Sequence, residues 1–116
     1  MEANCKNLEL FKGATKTLEI IVTENGVAFD ITNWTIYFTV KKYLTDTDEN
    51  AEIHKEISDH EEATSGKTLI NLSTEDTDIE PREYYYTVDF KDTEGNEGVI
   101  LYGKLLVKRA VIQNRD

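Results

Sequence analysis

The chain has one cysteine, one proline and no apolar run approaching the ~20 residues that carry a helix across a bilayer. With Cys5 alone, an internal disulfide and any paired-cysteine zinc motif are excluded. Cys5 has only Lys6 as a cationic neighbour in sequence and reads as incidental, neither a reactive thiol nor a link between chains. One proline and six glycines in 116 residues exclude collagen-like and low-complexity chains. The first residues lack the basic-then-apolar pattern of a secretory leader, so synthesis in a cytoplasm without export by that route is the expectation. The sequons Asn33-Trp34-Thr35 and Asn71-Leu72-Ser73 are then chance matches.

Basic residues are also scarce. Lys and Arg number 13 against 23 Asp and Glu, for a net charge of -10. The acidity sits in the middle: residues 46–97 carry 17 acids and four bases, whereas 1–45 balance at five of each. Residues 98–116 are mildly basic, with one acid and four bases. A phosphate backbone or an anionic membrane surface would be repelled, so neither nucleic-acid binding nor membrane insertion is expected. The acidity confers solubility and suits a basic partner.

Catalytic constellations are missing too. Neither His54 nor His60 has a serine in a nucleophile elbow to serve, the serines being Ser58, Ser65 and Ser73. Both histidines read as solvated surface residues. Asp46, Asp48 and Asn50 resemble the opening of a calcium loop, but Ala51 replaces the turn glycine and Ile57 stands where the bidentate glutamate belongs. A looser site joining Asp46 and Asp48 to Asp76 or Asp78 is the weaker alternative to solvated carboxylates. No phosphate-binding glycine loop is present. The expectation is a protein that is not an enzyme, with no catalytic residues, no cofactor and no metal.

What the chain does have is alternation. Trp34, Ile36, Phe38 and Val40 share one parity, and Tyr84, Tyr86, Val88 and Phe90 share another. Successive strand residues point to opposite faces, so each run predicts a strand with one apolar face. Trp34, Ile36, Phe38, Tyr84, Tyr86 and Val88 are the expected core. Tyr37, Tyr85 and Tyr102 fall on outer parities, where an aromatic can become a protein contact. Further strands are read at 7–12, 15–23, 27–31, 52–57, 67–72 and 99–111, with turn signals roughly every ten residues. Asn25-Gly26 suits a tight turn, and Gly103 marks a bulge or a close approach within the last strand. Charged alternates at 52–58 fit an edge strand. The pattern predicts one all-β domain over residues 1–116, an antiparallel sandwich of seven or eight strands.

The order of motifs carries a resemblance. Gly13-Ala14-Thr15-Lys16 precedes a strand, and Asn25-Gly26-Val27 and Asp30-Ile31-Thr32-Asn33-Trp34 lead into the next. Gly66-Lys67 opens another, Asp76-Thr77 and Pro81-Arg82-Glu83-Tyr84 follow, and Asp92 to Asn96 closes the series. Over about 13–109 this resembles the immunoglobulin-like domain at the N-terminus of tailed-phage baseplate upper proteins and related small virion proteins. The resemblance implies an immunoglobulin-like sandwich with Tyr84 as its tyrosine-corner residue. It also implies a virion location, in tail or baseplate, with other phage structural proteins as partners. Arg82 stands where the family has glycine after the proline, so the turn either avoids positive φ or carries strain. The last strand has apolar groups on both parities. One face fills the core; the other, with Ile100, Tyr102 and Leu106, is the candidate contact for a homo-oligomer or a neighbouring virion protein. The alternative reading is an adhesive module recognising a carbohydrate or receptor through exposed tyrosines.

Overall fold

Alternation becomes strand almost everywhere. The computed structural model describes residues 4–43 and 51–109. Among them the strands are β1 (Asn4–Cys5), β2 (Leu8–Phe11), β3 (Lys16–Ile21), β4 (Thr23–Glu24) and β5 (Val27–Ala28). They continue with β6 (Thr35–Lys41), β7 (Ile53–Ile57), β8 (Lys67–Leu72), β9 (Glu83–Lys91) and β10 (Glu97–Lys108). One short 3-10 turn, Ala63–Ser65, precedes β8. Asp46, Asp48 and Asn50 of the calcium-like loop lie outside the described residues.

A six-stranded sheet runs β10-β9-β6-β7, with β1 and β2 both bordering the far side of β10. A second, two-stranded sheet pairs β3 with β8, and β4 pairs with β5. The two main sheets contribute to one apolar cluster: Leu18, Ile20, Ile70 and Leu72 from the smaller meet Ile36, Phe38, Val88 and Leu105 from the larger. The result is a sandwich-like all-β architecture. All six residues expected in the core are buried. Thr39, on the outer parity, is buried as well, with its hydroxyl against the His54 ring.

The expectation of a wholly antiparallel fold needs correction at the N-terminus. β1 and β2 run parallel to β10, with Cys5 opposite Tyr102 and Leu10 opposite Val107. A parallel pair needs a long crossover. Here nearly the whole chain supplies it. Every other strand pair is antiparallel.

Local chemistry holds the corners. Asn25 and Gly26 take φ of 53° and 79° between β4 and β5, the paired positive values of a two-residue hairpin loop. Asp30 accepts from the Thr32 amide at 2.9 Å and from its hydroxyl. Asp76 accepts from the Ser73 amide at 2.8 Å, and Thr77 donates to the Ala14 carbonyl at 2.8 Å. The latter bond ties the β8–β9 crossing to the β2–β3 turn. Tyr84 Oη donates to the Glu80 carbonyl at 2.5 Å, pinning the start of β9. Tyr84→Phe removes that bond and is expected to cost about 1 kcal/mol in urea unfolding. Arg82 avoids positive φ, and its guanidinium lies over the rings of Tyr43 and Tyr84.

Candidate functional site

The outer face of the six-stranded sheet is built by the residues that the core does not claim. Across it, register aligns His54, Thr39, Thr87, Tyr102 and Cys5 in one row. The next row holds Lys41, Tyr85 and Lys104. Between these rows lies a depression of about 560 Å3 lined by Cys5, Thr39, Tyr85, Thr87, Tyr102 and Lys104. Tyr102 is 43% exposed and Leu106 is 36% exposed. Leu106 lies opposite Glu83 on one side and Glu9 on the other. Lys104–Glu83 at 3.5 Å and Lys108–Glu9 at 2.9 Å ring it with charge. An apolar centre with a charged rim is the anatomy of a protein contact.

One residue expected on this face is not there. Ile100 is buried at 6% exposure and belongs to the core. The register shifts between Val99 and Leu101, so β10 spends one extra residue at that point. Such a bulge turns a strand's faces over. Before it Val99 points out; after it Leu105 and Val107 point in, leaving Tyr102 and Leu106 outside. Of the three residues named for the contact, Tyr102 and Leu106 lie exposed on the outer face of β10, with Lys104 between them.

Gly103 is a close approach, and the bulge is elsewhere. A Cβ there would lie 2.2 Å from the Lys6 carbonyl oxygen. That carbonyl accepts from Tyr86 Oη at 2.5 Å, with Tyr86 directly across from Gly103. The arrangement seats the N-terminal strand at the rim of the depression, where the Lys6 amide donates to the Tyr102 carbonyl at 2.8 Å.

The histidines divide. His54 is exposed, meets Thr39 Oγ1 at 3.0 Å and stacks near Tyr37 on the outer face. His60 departs from the solvated reading. Its Nε2 donates to the Trp34 carbonyl at 2.7 Å and its Nδ1 meets Thr68 Oγ1 at 2.9 Å. It is a structural tie between the 59–66 connection and the head of β6. No sequence signal marks it, because its partners come from distant strands. Asp76 is bonded to Lys55 at 2.7 Å, and Asp78 to Lys12 at 2.6 Å, so both loop acids are engaged by cations of this chain.

Burial, with Cys5 adding to it, pushes the Tyr86 phenol up to about 12 from 10.0, and burial also raises Tyr84. Both favour the neutral phenol in the fold. The Tyr86 contribution is complete below pH 10 and is lost as pH rises through about 12. Urea unfolding across that interval is expected to show falling stability, and Tyr86→Phe to flatten the fall. At the acid end, bonds from Thr32 lower Asp30. For Asp76, partial burial works upward but is outweighed by Lys55 and Ser73. These carboxylates stabilise above about pH 3.8, and the benefit goes as pH falls through their depressed values.

No family model matches the chain, and no curated protein matches it in sequence.

Proposed function

We propose that the chain is a non-enzymatic interaction module of a bacteriophage particle, in tail or baseplate, which binds other structural subunits through the outer face of its larger sheet. The observation that carries the reading is the exposed pair Tyr102 and Leu106 on β10, beside Tyr85 and within a rim of paired charges. Large aromatics held rigid on strands lose little entropy on contact, which makes them efficient anchors.

The virion reading rests on an immunoglobulin-like fold, and several features support it. The order β10-β9-β6-β7 is that of strands G, F, C and C′, while β3 and β8 take the places of B and E. Tyr84 bonds the backbone four residues upstream at the head of the F-like strand. Trp34, at the head of the C-like strand, stacks on Phe90 with ring centroids 4.5 Å apart. The motifs over about 13–109 resemble the phage baseplate domain in the same order.

Immunogold labelling of purified particles tests the location. Label on the tail or baseplate is expected. Particles free of the protein would remove the virion reading. A glycan array on which binding is lost in Tyr102→Ala would replace it with the carbohydrate-binding alternative.

A further inference from the structure

The smaller sheet is short of a strand. Among the described residues it has two strands against six, and β3 pairs with β8 alone. Val22, just past β3, donates its amide to Gly66 at 2.8 Å, which sets the alternation of the ladder. Leu18 and Ile20 therefore turn their backbone groups to β8, while Thr17, Glu19 and Ile21 turn theirs away. An edge strand with open N–H and C=O groups is a template for another strand.

That edge borders a groove of about 640 Å3 between β3 and β2, the edge strands of opposite sheets. Its apolar lining includes Leu8, Leu18, Ile20 and Leu101. Four charges also line it. Glu9 is paired with Lys108, and Glu19 with Lys67. Among the described residues, Lys6 and Lys16 have no acidic partner. On a protein of net charge -10, this leaves a groove whose unspent charges are both positive.

We infer that the β2–β3 groove receives an extended acidic segment of a partner protein, which adds as a third strand along β3. Open backbone groups of Thr17, Glu19 and Ile21 supply the ladder. Alternate apolar side chains of the segment enter between the sheets, and its acids meet Lys6 and Lys16. Strand addition of this kind takes affinity from main-chain bonds and specificity from alternate pockets. The groove meets the Tyr102 depression only at Asn7, which lines both. The β3 edge and its apolar lining are separate from that face, and the inference needs neither the Tyr102 contact nor a virion location.

The test uses the whole chain and a synthetic peptide of about eight residues alternating valine with glutamate. Amide exchange at Thr17, Glu19 and Ile21 is expected to slow when the peptide is added, with Leu18 and Ile20 little changed. Glu19→Pro removes an outward N–H, a position where an edge strand tolerates proline, and is expected to abolish binding although it removes a repelling acid. Lys16→Glu is expected to weaken binding roughly tenfold. Unchanged exchange at the three amides would overturn the inference. So would equal binding of a valine–lysine peptide. Self-association without peptide, abolished by Glu19→Pro, would assign the edge to a second copy instead.

Discussion

Trp34→Ala is expected to be the most damaging truncation in the chain, lowering stability by about 3–5 kcal/mol. The indole is 7% exposed, stacks on Phe90 at 4.5 Å and tilts against Phe29 at 5.2 Å. Its removal leaves a cavity beside Phe29 and Phe90, and both rings lose their partner. Domains of this size are stable by ~5–15 kcal/mol, so the variant should melt early or express poorly. Trp34→Phe keeps a ring in the stack and should recover much of the loss. Val27→Ala is the control: at 68% exposure it should fall within about 0.5 kcal/mol of the parent. A Trp34→Ala protein with the parent's urea midpoint would contradict the packing described for β6.

Gly103→Ala is the second large effect. One methyl group would meet the Lys6 carbonyl oxygen at 2.2 Å and its carbon at 2.9 Å, and both are backbone atoms that cannot swing aside. The N-terminal strand must then leave β10. Three bonds go with it: Lys6 to Tyr102, Tyr86 to Lys6, and Lys104 to Asn7. Overpacking of this kind costs about 1–3 kcal/mol, and the loss of the Tyr86 bond adds to it. Amide exchange at Lys6 should accelerate well beyond the global change. Unaltered exchange there would show that the strand does not cross Gly103 as described.

Parity made much of this fold legible. Trp34, Ile36 and Phe38, and Tyr84, Tyr86 and Val88, could be assigned to the core because strand side chains alternate strictly and a slip would reverse every one. The Asp30–Thr32 corner and the Asn25–Gly26 turn could be read because their chemistry is local. Pairing partners could not. Nothing in residues 4–11 says that they run parallel to β10, since alternation carries no direction. The Val99–Leu101 bulge was hidden for a different reason: Val99, Ile100, Leu101 and Tyr102 are all apolar or aromatic, so no break in pattern marks the turnover. That is why Ile100 was expected outside with Tyr102. The outer tyrosines were visible by parity alone, but the depression joining Tyr85 and Tyr102 depends on register across three strands. His60 and the β2–β3 groove were out of reach because each forms between segments far apart in sequence.

The central claim is that the Tyr102 face binds structural subunits, and a pull-down with purified tail and baseplate proteins tests it most directly. The parent chain and a Tyr102→Asp, Leu106→Glu double variant should be compared at matched thermal stability. Both positions are exposed, so the double change should leave the fold intact. The account predicts that the parent retains at least one of these proteins and that the double variant releases it. A parent that retains none of them and stays monomeric in light scattering would contradict the account.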